Sequence, residues 1–170
     1  LPGFIVMCPG GYPIVATRNW RSAFLPGAYQ GTHLDTKHTD VTKLIANIRN
    51  SRLSTAEQRQ QLDLAQALNA RHLEARAADP QLEARIQTFE LAFRMQMEAP
   101  EVVDISQETS EVQELYGIND PATAGFGRQC LLARRLVERG VRFVELSCIT
   151  KGIGAGGAPN PWDQHSALEK

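Results

Sequence analysis

The sequence predicts an α/β fold, a partial parallel sheet flanked by helices, with a helical hairpin in the middle of the chain. Three observations predict it. Phe126, Cys130, Ala133 and Val137 recur at four- and three-residue steps, which is one stripe of an amphipathic helix, while Arg128, Arg134, Arg135 and Arg139 fall largely outside it. Gly140 then ends the helix, and Val141 to Cys148 is rich in β-branched and aromatic residues with apolar side chains at both parities, as in a strand covered on both faces. Upstream, two further helical stretches follow one another across Asp79-Pro80, an arrangement expected of a hairpin.

Gly3 to Cys8 is a short continuous apolar run closed by Pro9-Gly10-Gly11, which reads as a buried strand entering a loop. Tyr12 to Asp40 keeps no period and is punctuated by Pro13, Pro26, Gly27 and Gly31, so it is expected to be a long irregular connection, packed through Trp20, Phe24 and Tyr29. Leu44, Ile45 and Ile48 restore apolar spacing over a stretch too short to classify. Ser54-Thr-Ala-Glu57 is a capping box opening a helix to about Ala77, with Leu62, Ala65, Leu68 and His72 or Leu73 along one side. After Asp79-Pro80, the residues Leu82, Ile86, Phe89, Phe93 and Met97 form a second stripe that Ala99-Pro100 should end. Ser110-Glu-Val-Gln113 is a weaker capping box for a short helix closing at Tyr116-Gly117.

Composition narrows the function. A 170-residue chain that is 42% hydrophobic and 22% charged is ordinary globular material, enough for one domain with a core. The formal charge of -1, with both signs interspersed, provides no basic field for nucleic acid. No apolar run reaches the length of a membrane span. Cys8, Cys130 and Cys148 lack metal-type spacing and read as buried thiols. Cys8-Pro9 does not match the Cys-x-Pro-x-Arg pattern of sulfatases, because the proline is adjacent and no arginine follows at the required offset.

Two sets of residues have the donor types of a metal site. In open α/β sheets ligands sit beyond the carboxyl ends of the strands, which directs attention to the loop after Cys148 and to Asp163 and His165. Spaced by two, these could present carboxylate and imidazole to one ion, with Trp162 behind them; the alternative is an aspartate capping a helix near Ser166 and a locally bonded histidine. The second set is His33, Asp35 and His38, within a polar segment that also contains Lys37 and Asp40. Gly152-Ile-Gly154-Ala-Gly-Gly157 satisfies G-x-G-x-x-G, yet Pro159 and Pro161 prevent the helix that would hold a pyrophosphate, so nucleotide binding is not expected.

The run from Gly127 to Leu146, followed by a variable loop and Trp162-Asp163-Gln-His165, resembles domain-of-unknown-function family 1501 of bacterial exported proteins. So do Leu1 to Val6, Asn19-Trp20 with Phe24-Leu25-Pro26 and Tyr29-Gln30-Gly31, and Leu73 to Arg76 with Phe89 to Met97. The resemblance implies an alkaline-phosphatase-like fold of the phosphatase and sulfatase superfamily, of which residues 1–170 would form one partial domain, its middle portion. It also implies a divalent metal ion (zinc, calcium or magnesium), with Asp163 and His165 as ligands. The expected activity is hydrolysis of sulfate or phosphate esters, small-molecule or glycan, in an exported protein. The alternative is an extracytoplasmic binding or assembly module that keeps the fold without the chemistry. No nucleophile is identified.

Overall fold

A computed structural model describes residues 1–13, 15–46, 48–75 and 80–147. Cys148, the glycine-rich stretch, Asp163 and His165 lie outside the described residues. The chain is mixed α/β. Strand β1 (Phe4–Cys8) leads through two 3-10 turns, Ala16–Asn19 and Gly27–Tyr29, to β2 (Thr32–Asp35). Five helices follow: α1 (Val41–Leu44), α2 (Thr55–Ala75), α3 (Pro80–Val103), α4 (Ser110–Leu115) and α5 (Ala124–Glu138). Strand β3 (Phe143–Leu146) completes a three-stranded parallel sheet in the order β2-β1-β3. Parallel neighbours need long crossovers, and the chain supplies two. The first runs from Pro9 to Gly31, the second through all five helices.

Register assigns each side chain to a face. Met7 pairs with Leu34 and with Leu146, and Ile5 pairs with Val144. Side chains alternate along a strand, so these residues share one face. That face is covered by helices: Ile5, Met7 and Leu34 join Leu44, Ile45 and Ile48, then Met95, Ala99, Val102 and Val103 of α3, and Leu132 and Leu136 of α5 in one core. Val6, Cys8, His33, Asp35 and Glu145 belong to the opposite face. Val6 and Cys8 are fully buried there, so the central strand is covered on both sides, as its unbroken apolar sequence requires.

Several local expectations hold. The Ser54 amide donates to Glu57 Oε2 at 2.7 Å while the Glu57 amide donates to Ser54 Oγ at 3.3 Å, the reciprocal capping box. Gly140 takes φ +87 just past the C-cap Arg139 of α5, a conformation costly for any side chain with a β-carbon.

Others are corrected. The irregular connection contains a strand, β2, whose four residues Thr-His-Leu-Asp carry a single buried apolar side chain and so show no alternation. Helix α3 runs through Pro100 to Val103, because Ala99, Val102 and Val103 are buried in the core and their burial outweighs the one backbone hydrogen bond proline removes. The α5 stripe is displaced: Phe126 and Val137 are about half exposed, and Leu131, Leu132 and Leu136 face inward instead. Strand β3 is partly exposed along its length, not covered on both faces. The short helix α4 is capped by Thr109, whose hydroxyl accepts from the Val112 amide, one residue before the expected Ser110.

The hairpin of α2 and α3 also differs in its chemistry. Its seam is polar: Arg59 forks onto both oxygens of Glu90, Gln66 donates to the same carboxylate, Asn69 donates to Glu83 and Gln96 to Gln58. Leu62, Ile86 and Phe93 are half-buried, while Leu68, Phe89 and Met97 of the expected stripes are exposed.

Candidate functional site

All three strands run the same way, so their carboxyl ends open on one rim. Cys8 lies opposite Asp35, and Met7 opposite Leu146. The Thr36 amide donates to the Cys8 carbonyl at 3.3 Å and the Ser147 amide to the Met7 carbonyl at 2.8 Å, so the chain leaves each strand at the same level. Ligands of parallel α/β sheets bind at such a rim.

Asp35 is the best-anchored side chain there. Its Oδ1 accepts from the Gly10 amide at 2.7 Å and from the Lys37 amide at 3.1 Å. The first bond ties the loop after β1 to the end of β2, and Gly10 reaches it with φ +72, where side-chain-bearing residues are strained. Oδ2 faces His38, whose Nε2 is 3.8 Å away. That separation is an ion pair when the imidazole is protonated and is too long for a hydrogen bond.

His33 sits two residues back on the same strand and face. Its ring stacks on Trp20, with centroids 5.2 Å apart and planes inclined by 20°, and meets Tyr12 edge-on at 5.1 Å. Burial lowers the His33 pKa from its ordinary value, and the Asp35 charge and the Gly11 backbone only partly oppose this. The ring is therefore neutral at pH 7. Its Nε2 is buried without a hydrogen-bond partner, as is the Thr36 hydroxyl at the end of the same strand. Native proteins rarely leave such atoms unsatisfied.

With that geometry in view, a family model described as a protein of unknown function, DUF1501, matches residues 1–170. The chain belongs to the DUF1501 family. No curated protein and no solved structure matches it.

In this DUF1501 chain Asp35 and His38 meet at the rim and His33 lies two residues back on β2, all three within what the sequence had placed in a loop. Their donor chemistry suits a divalent ion only in part. Asp35 Oδ2 and His38 Nε2 are near each other, but among the described residues no group of three His, Cys, Asp or Glu side chains converges on one point. His33 is held among Tyr12 and Trp20. Lys37 meets Asp35 through its backbone amide, and its aliphatic stem lies beside Gly10.

One rim-side group escaped the sequence reading. Glu145 pairs with Val6, which pairs with His33 on its other side, so a carboxyl and an imidazole flank one valine on the same sheet face. Burial raises the Glu145 pKa above its ordinary value. The available clue was a glutamate interrupting the apolar run Phe143-Val144-Glu145-Leu146. Two titratable groups displaced in opposite directions by their surroundings are suited to acid and base roles. Cys8, the one cysteine of this face among the described residues, is buried at the end of the central strand.

Proposed function

We propose that this DUF1501 chain contributes the sheet and part of the ion site of a metal-dependent hydrolase of sulfate or phosphate esters. We take the fold to be of the alkaline phosphatase and sulfatase type and the setting to be extracytoplasmic. The observation that supports the reading best is the anchored Asp35. It sits at the carboxyl rim, one oxygen satisfied by two amides and the other turned toward His38. Asp163 and His165, in the segment that follows β3, are the proposed remaining ligands. A divalent ion bound there would supply Lewis acidity to an ester oxygen.

The chain's own groups do the rest. The amides of Gly10 and Lys37 hold the Asp35 carboxylate in one orientation before any ligand arrives, which lowers the ordering cost of binding. The neutral His33 ring has an unpartnered Nε2 that can accept a proton or a hydrogen bond. Trp20 and Tyr12 fix that ring's plane and keep water from its face.

The test is metal analysis of the purified protein alongside Asp163→Ala, His165→Ala and Asp35→Ala, with hydrolysis of aryl sulfate and aryl phosphate esters measured before and after chelation. Stoichiometric metal lost in each variant, together with chelator-sensitive turnover, is the expected result. Metal content unchanged in Asp163→Ala and His165→Ala would remove the ligand assignment. Full metal occupancy without turnover of either ester class would instead favour a binding module.

A further inference from the structure

Arg128 stands apart from the other arginines of α5 and its C-cap. Arg134 and Arg135 both bond Glu108, and Arg139 bonds Glu101. Arg128 has no carboxylate partner among the described residues, and its Nε is buried with no hydrogen-bond partner at all. It is half-buried, and burial alone lowers its pKa from the ordinary arginine value. An uncompensated guanidinium in such a place is costly, so its retention calls for a counter-charge.

The surroundings indicate where that counter-charge would lie. Arg128 lines a cavity of about 250 Å³ together with Thr39, Val41, Pro100, Val103, Asp104 and Ile105. Val41, Val103 and Ile105 belong to or pack against the helix-side core, so this cavity is on the face of the sheet opposite His33 and Asp35. It is nevertheless close to the same rim, because Thr39, which lines it with Arg128, follows shortly after the end of β2. The first turn of α5 contains no acidic residue that would compete for the cation. The cavity's one carboxylate, Asp104, is turned into its own chain reversal, where it accepts from the Ser106 amide at 3.0 Å.

We propose that this cavity binds a small oxyanion, such as phosphate, sulfate or a carboxylate, with the Arg128 guanidinium as its anchor and the Thr39 hydroxyl as a second donor. Planar guanidinium and oxyanion match in a forked pair, and the apolar wall of Val41, Val103 and Ile105 strengthens it by excluding water. The site rests on no part of the hydrolase reading, since it shares no residue with the Asp35 cluster.

The experiment is calorimetric titration of the purified protein with inorganic phosphate, sulfate and acetate at constant ionic strength, repeated on Arg128→Met and Asp104→Asn. Saturable binding of one equivalent is expected for at least one of the three anions, and the order among them identifies the oxyanion class. Arg128→Met should weaken it about tenfold or more, the loss of a charge-assisted pair. Asp104→Asn, which keeps its turn acceptor, should tighten it about threefold by removing a like charge from the cavity wall. This variant carries the test if Arg128→Met fails to fold. Absence of saturable binding by all three anions, or wild-type affinity in Arg128→Met or in Asp104→Asn, would overturn the site.

Discussion

Replacing Asp35 separates its role as a scaffold from its role as a ligand. Two amide donors converge on Oδ1, from Gly10 at 2.7 Å and Lys37 at 3.1 Å, in a half-buried position at the end of β2. A hydrogen bond to a charged acceptor contributes about 1.5–3 kcal/mol when enclosed, and partial exposure here lowers each to about 1 kcal/mol. Asp35→Ala should therefore cost about 2 kcal/mol, or about 4–8 °C in Tm for a chain of this size. Asp35→Asn retains a carbonyl oxygen for the same two amides and should cost about half as much. Urea denaturation of the three proteins at pH 7, with thermal melts as a second readout, gives both values. Equal stability of the alanine and asparagine variants, or a loss below about 0.5 kcal/mol in Asp35→Ala, would refute the claim that this carboxylate ties the β1 loop to β2. If Asp35 is also an ion ligand, Asp35→Asn should lose metal while keeping most of its stability.

The other predictions concern the frame that holds the rim. Arg135 donates to the Val102 carbonyl at 2.8 Å, to the Glu101 carbonyl at 2.9 Å and to Glu108, closing the end of α3 against α5. Arg135→Met should lower stability by about 3 kcal/mol in urea titration. Lowered His33 pKa means that the unfolded chain takes up a proton before the folded one does. The stabilisation is complete above about pH 6.5 and is lost as pH falls through that value toward the folded pKa. Melts between pH 5 and 8 should show this slope and His33→Gln should flatten it. A β-carbon at Gly127 would overlap the Tyr116 carbonyl oxygen, so Gly127→Ala should be strongly destabilising, seen as loss of the cooperative melt.

Much of the architecture was legible because local chemistry and tertiary packing agree. The capping box at Ser54, the stop at Gly140 and the unbroken apolar run of β1 each need only neighbours in sequence, and each is where it was expected. Phase was less legible than period. The residues of α5 contain two interleaved apolar series, one through Phe126, Cys130, Ala133 and Val137 and one through Leu131, Leu132 and Leu136. Spacing is helical in both, and the sheet's position decides which is buried. The hairpin is a stronger case. Its apolar stripes read as residues to be buried, yet Leu68, Phe89 and Met97 remain exposed, and the two helices are joined by the carboxylate of Glu90, reached by Arg59 and Gln66.

The candidate site divides in the same way. Residue chemistry alone singled out His33, Asp35 and His38, because imidazoles and carboxylates so close together are readable without a fold. Their placement on a strand end was not readable. A four-residue strand with one buried apolar side chain has no period to detect, and it exists through its hydrogen bonds to β1. The pairing of Glu145 with His33 across Val6, and the isolation of Arg128 among partnered arginines, likewise depend on residues distant in sequence. Composition and periodicity were sufficient for the longer helices, for β1 and β3 and for the donor types, since these follow from near neighbours. Which face each side chain meets, and which charges find partners, arose from long-range strand pairing and helix packing, because burial is a property of the assembled surfaces.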